Sequence, residues 1–146
     1  MSTPLERTHD ILLNRYNEHD LSWHDTYVAD DAVYVTPGGG VIRGRAQGRK
    51  LLETLNTCFP DERNELIHEA GNDRTAFLSI WNSGTFLGDM GPVKATGRSF
   101  RTRCVVEVTW QDDKIVEWVD HMDNFVWFEV QLGTKVPQGK WWEDAA

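Results

Sequence analysis

The stretch EWVDHMDNF, residues 117 to 125, gathers Glu117, Asp120, His121 and Asp123 within seven positions. A carboxylate becomes a useful proton carrier when burial lifts its pKa toward neutrality, and a nearby histidine can orient it or share the proton. Alternate residues of a strand face opposite sides, so these four cannot all serve one site. The pairing register of the strand therefore decides which of them reaches a cavity and which is solvated surface.

The turn before this stretch offers a register. If Asp112 and Asp113 form a two-residue loop, Gln111 pairs with Lys114. Cys104 then faces His121, Val106 faces Val119, Val108 faces Glu117 and Thr102 faces Asp123. One sheet face would hold Glu117, His121 and Asp123 beside apolar valines. There Asp123 would be desolvated and suited to act as a base, with His121 as a helper or oxyanion donor. The other face would hold Trp118, Asp120 and Met122, with Arg101 or Arg103 as the ion-pair partner of Asp120. A slip of one residue exchanges the two sets. His121 and Asp123 could also be two metal ligands, but no third ligand follows at a recognisable spacing, and no metal site is expected.

Helices precede strands in the elements that must position these groups. Thr3 suits an N-cap, Pro4 the first helical position, and Glu6 completes a capping box. Leu5, His9, Leu12 and Tyr16 follow on one helical face, and a short helical stretch surrounds Trp23 to Val28. AVYVTPGGGVIRG reads as strand, Pro/Gly turn and strand, and a helix is expected from Ala46 to Cys58. PGGG opens no helix with a Lys-Ser/Thr, so turn chemistry explains it better than phosphate binding. ELIHEAG, TAFLSIWNSGTF, SFRTRCVVEVTW and IVEWVDHMDNF are then four strands of an antiparallel meander. This segregation predicts an α+β fold with N-terminal helices packed on one face of a curved sheet. Trp23, Trp81, Phe86 and Phe125 would wall a pocket for a flat aromatic ligand or else fill the core, and Tyr16 would present a phenol or pack its helix. Of Asn82 and Ser83, parity lets only one face inward.

A length of 146 residues fits one domain with a sizeable core, and the tail from about 134 to 146, with Trp141 and Trp142, is expected to dock on the fold or on a second subunit. Fifteen basic against 23 acidic residues give a net charge of -8, which argues against nucleic-acid binding. The short basic run Arg43, Arg45, Arg49 and Lys50 reads as a solvated face. Cys58 and Cys104 sit among apolar neighbours in no ligand or disulfide pattern, so a reducing compartment is expected. With no secretory h-region and no membrane-length apolar run, the expectation is a soluble cytoplasmic protein with no membrane partner. Seven tryptophans point to a large aromatic pocket or a subunit interface.

NEHDLSWHDTYVADDAVYVTPGGGVIRG, CFPDE, WNSGTFLGDMGPVKATGRSF and DDKIVEWVDHMDNFVWFEVQLG, in this order, resemble the SnoaL-like polyketide cyclases of the nuclear transport factor 2-like superfamily. The resemblance runs from about Leu5 to Gly133. It implies a cone-shaped sheet around helices with a deep pocket, a homodimer, and an intramolecular aldol closure run without metal or cofactor. The family's acid–base aspartate precedes an apolar segment ending Gln-Leu-Gly, which here is Asp123 before Gln131, Leu132 and Gly133. A usual acid-Pro pair is Thr36 and Pro37 here, which argues against the isomerase chemistry that related proteins run there. A position often held by histidine is Phe86. The resemblance thus implies a cyclase or isomerase type of enzyme acting on a small hydrophobic or aromatic substrate. A ligand-binding protein without catalysis and a hydrolase or dehydratase on the same cone are the alternatives. An Asp-Arg-Asp set like that of the related epoxide hydrolases survives only weakly, in Arg103 and Asp120.

Overall fold

The computed structural model describes residues 2–37 and 40–137; of the expected docking tail, the part from residue 138 on, with Trp141 and Trp142, lies outside the described residues. Helix α1, Pro4–His9, starts on the capping box foreseen: the Glu6 N–H donates to Thr3 Oγ1 at 3.1 Å and the Thr3 N–H to Glu6 Oε2 at 3.2 Å. It continues as a wide π-helical turn, Asp10–Arg15, and a 3₁₀ turn, Tyr16–Glu18. The wide turn changes the helical phase. Leu12 and Tyr16 stay buried, while His9 swings to the surface and meets Glu69 at 2.6 Å. Helix α2, Ser22–Tyr27, buries Trp23 and His24.

Strands β1, Val28–Val35, and β2, Val41–Arg43, form the expected hairpin, and α3 spans Arg45–Cys58. Four long strands follow: β3 Arg63–Gly71, β4 Thr75–Thr85, β5 Ser99–Gln111 and β6 Lys114–His121. All six make one sheet in the order β2-β1-β6-β5-β4-β3. The β1–β6 contact is parallel, so the sheet is mixed rather than wholly antiparallel. That contact joins the N-terminal hairpin to the C-terminal meander and sets Tyr34 beside Trp118. The final strand also stops earlier than its sequence suggests. β6 ends at His121, and Phe125–Leu132 coils into a π-helical segment instead. The Asp123 carboxylate holds its start by accepting the Val126 N–H at 3.1 Å. Beyond it, the Thr134 N–H donates to the Phe128 carbonyl, and Val136 and Pro137 pack against the body.

The inner sheet face and the helices share one core. Ala76, Leu78 and Ile80 of β4 and Val106 and Val108 of β5 are buried against Leu12, Leu51 and Phe59. One helix position sets how closely α3 approaches the sheet. A Cβ on Gly48 would stand 2.3 Å from Tyr34 Cε2, and Tyr34 is buried and tied to His24 Nε2 at 2.7 Å. Gly48→Ala should gain about 1 kcal/mol of helix propensity but cost about 1–3 kcal/mol of overpacking. A lower thermal midpoint is expected; a raised one would show that the ring moves freely.

Candidate active site

The hairpin turn forms as anticipated, with Gln111 opposite Lys114, Trp110 opposite Ile115 and Asp112 in the left-handed region. The next rung breaks the count. Thr109 faces Glu117, so β6 takes two steps where β5 takes one, and Val116 is the extra residue of a bulge. From there the strand runs one residue out of the register expected from the turn. Val106 faces Asp120 and Val105 faces His121. The β5 half of the expected cavity face stands, since Thr102, Cys104, Val106 and Val108 are all buried. The β6 half is exchanged: Trp118, Asp120 and Met122 line the cavity.

The residues expected to form the site fall in different places. Tyr16 and Trp23 line the cavity. Asp123 is exposed and caps the π-helical segment, so it takes no part in the lining. His121 is exposed on the outer face and meets Glu107 Oε1 at 2.8 Å. Glu117 is partly buried between Val33 and Thr109, outside the lining. Trp81 lies on the outer face under the Arg101 guanidinium, 4.0 Å from its ring centre. Phe86 is fully buried against Phe59, with centroids 5.5 Å apart, and belongs to the core behind the cavity. Phe125 is 58% exposed, because the strand expected to carry it inward has already ended. The Asp120 pairing with Arg101 or Arg103 does not form; the bulge sets them on opposite faces, and both arginines lie over Trp81.

The cavity lies between the inner sheet face, the first helical segments and α3. Trp23 and Trp118 stack along one wall, with centroids 5.7 Å apart and planes 24° apart. Two sets of polar groups hold its carboxyls. Asp120 accepts the Trp118 indole N–H on Oδ1 at 3.0 Å, while its other oxygen takes no hydrogen bond from the described residues. Burial pushes its carboxyl up to about 6, against smaller opposing effects from the indole donor and His121. Glu62 enters from just before β3. Its Oε1 accepts from the Tyr16 hydroxyl at 2.9 Å and its Oε2 from Asn82 Nδ2, also at 2.9 Å. Asn82 Nδ2 donates as well to Asn64 Oδ1 at 2.8 Å. Burial raises Glu62 to about 7; the two donors hold it down, and the nearby Asp120 charge adds to the rise. The Tyr16 phenol is pushed well up, first by burial and then by the Glu62 charge. Behind the wall His24 is lowered to about 4 by burial and so stays neutral beside Tyr34.

Asn82 takes the inward parity that it shared with Ser83 as a choice. Glu62 and Asn64 went unnoticed, although Glu62-x-Asn64 places two polar residues on alternate positions at a strand start. That pattern also fits an exposed strand face, and only the sheet shows that it points inward. Thr36, in the place of the family's acidic residue, is buried, and its hydroxyl donates to the Gly40 carbonyl at 3.0 Å.

A mixed sheet folded over helices, with an apolar cavity and two carboxyls inside, is an α+β cone, a fold shared with solved structures of low identity. The SnoaL-like polyketide cyclase family matches residues 6–129, and the chain belongs to that family. Similar solved structures include a SnoaL-like polyketide cyclase from Jannaschia sp. CCS1, 13% identical over 92% of this chain and 98% of its own, with a TM-score of 0.77. AclR, named as a hydroxylase from Streptomyces galilaeus, is 25% identical over 77% of this chain and 72% of its own, with a TM-score of 0.62. An LEH-like epoxide hydrolase of M. tuberculosis is 16% identical over 83% and 79%, with a TM-score of 0.66. None of the curated proteins compared matches this chain. No helix among the described residues is long and apolar enough to cross a membrane.

Proposed function

We propose that the cavity performs acid–base chemistry on a carbonyl-activated small molecule, a cyclase or isomerase type of reaction with Asp120 as the proton carrier. The observation that carries this is the Asp120 carboxyl in the cavity wall, with one oxygen fixed by an indole N–H and the other free to reach a ligand. A base serves best when its pKa lies near working pH, and burial brings Asp120 close to that. In an aldol closure, Asp120 takes a proton from the carbon beside a carbonyl. The resulting enolate carbon bonds to a second carbonyl carbon of the same molecule, and Asp120 returns its proton to the new alkoxide oxygen. Holding both carbonyls in one narrow cavity supplies the proximity such a step needs. The cavity leaves about 70 Å³, room for a few water molecules, which favours a single-ring or acyclic substrate over a polycyclic one.

The test is exchange of α-carbon hydrogen for deuterium in a β-keto ester, followed by NMR against pH. The base acts ionised, so the rate should rise through about pH 6 as the Asp120–Glu62 pair loses its first proton. A rate that stays flat between about pH 5 and 8 would rule out Asp120 as the base. Ligand binding without any exchange would leave a binding protein in its place.

The proposal extends to a homodimer in a reducing, cytoplasmic setting, which suits the two free thiols, Cys58 and Cys104. Trp118 is buried in the cavity wall and so takes no part in an outer interface. The exposed apolar groups of the outer sheet face include Phe77 and Val105, 40% and 37% exposed. Val105→Lys should convert a dimer to a monomer in light scattering; an unchanged mass would place the interface elsewhere.

A further inference from the structure

The residues that line the cavity include two acids, Asp120 and Glu62, and among the described residues no lysine, arginine or histidine. Burying carboxylates without a cation is costly, and a site usually compensates with a paired side chain or a bound ion. Here Glu62 is offset by two neutral donors, Tyr16 and Asn82, and Asp120 by one, Trp118. His121, next to Asp120 on the strand, faces outward and is engaged by Glu107. His24 lies behind Tyr34 and is neutral. Asp120, which lines the cavity with one oxygen that takes no hydrogen bond from the described residues, thus meets a wall that supplies no positive charge. That wall is aromatic: stacked Trp23 and Trp118 lie alongside Tyr34 and Trp127. Aromatic faces attract cations, most of all where water is excluded. The net charge of -8 draws cations and repels anions from a distance.

We propose that the cavity takes a ligand bearing a protonated amine, its ammonium facing Asp120 and Glu62 and its apolar part against Trp23 and Trp118. This names the substrate class of the site described under the proposed function and rests on that reading's choice of cavity, not on its aldol step. It also excludes ligands whose buried part carries a carboxylate or phosphate, since like charges placed together would repel.

Three probes of one shape and different charge test it: phenethylamine, phenethyl alcohol and hydrocinnamate, titrated by calorimetry at about pH 8, where an amine keeps its proton. The amine should bind about tenfold or more tightly than the alcohol, as a charge-assisted hydrogen bond implies, and hydrocinnamate should bind weakest. In Asp120→Asn or Glu62→Gln that preference should shrink, while an unchanged far-UV circular dichroism spectrum shows that the variant is folded. An alcohol that matches the amine, a preference kept in both variants, or no binding of any probe overturns the proposal. The amine preference needs no turnover, so it can fail while deuterium exchange succeeds, or hold while exchange fails.

Discussion

Asp120→Asn is expected to lower α-proton exchange by roughly 10²- to 10⁴-fold, the usual loss when a positioned general base is removed. Asn matches Asp in shape, and its Oδ1 still accepts the Trp118 N–H, so the cavity wall is kept. Ligand affinity for a neutral probe should therefore stay near that of the native protein. The companion variant is Asp123→Asn, which should leave exchange unchanged, because Asp123 is exposed and serves to cap Phe125–Leu132. Its stability should also stay close to native, within roughly 0.5 kcal/mol, because asparagine keeps the Oδ1 that accepts the Val126 N–H and caps about as well as aspartate. The two variants discriminate between registers of β6. If exchange survives in Asp120→Asn and falls in Asp123→Asn, the strand in solution lacks the bulge at Val116, and the family's aspartate occupies the cavity after all.

Glu62→Gln should stabilise the protein at alkaline pH and do much less in acid. Glu62 is nearly sealed from solvent and titrates at about 7, against an ordinary value of 4.5. Its pKa is raised in the folded state, so the folded protein binds more protons than the unfolded chain between those values. Stability is then highest below the unfolded pKa and declines as pH rises through the folded one. At roughly 1.4 kcal/mol per unit, the penalty at pH 8 is on the order of 3 kcal/mol. Asp120 adds to it over a lower range, up to about 6. A glutamine carries no charge to desolvate. Its oxygen can accept from Asn82, and its amide can donate to the Tyr16 oxygen, so both polar contacts persist in reoriented form. Urea midpoints for the two proteins should coincide near pH 4.5 and separate by pH 8, with the variant higher. Equal midpoints at pH 8 would mean that Glu62 is as well solvated when folded as when unfolded. A stabilising change that removes a site group is what a functional carboxylate predicts, because such groups are kept against stability.

Much of the fold was legible because its signals are local. The Thr3–Glu6 capping box, the stop of α3 before Pro60 and the alternation along β4 and β5 each depend on residues within a few positions. The turn at Asp112 and Asp113 was likewise correct, and so was the β5 half of the cavity face. The site was harder to see. A single bulge at Val116 moves every later residue of β6 to the other face, and nothing in the local sequence marks it. Strands have a period of two, so an error of one residue is not a small displacement but an inversion. That is why His121 and Asp123 are outside and Asp120 inside. Glu62 and Asn64 were missed for a related reason, since their alternation fits a wet face as well as a buried one.

The amino-acid sequence by itself determined the α+β order of elements, the family and the presence of a strand rich in acids near the C-terminus. Only the tertiary structure decided which acid is desolvated. Desolvation is not a property of a residue or its neighbours in sequence. It is set by how β6 is wedged between β1 and β5, with Tyr34 and Val108 on either side of Trp118, and by the helices that close over Asp120 and Glu62.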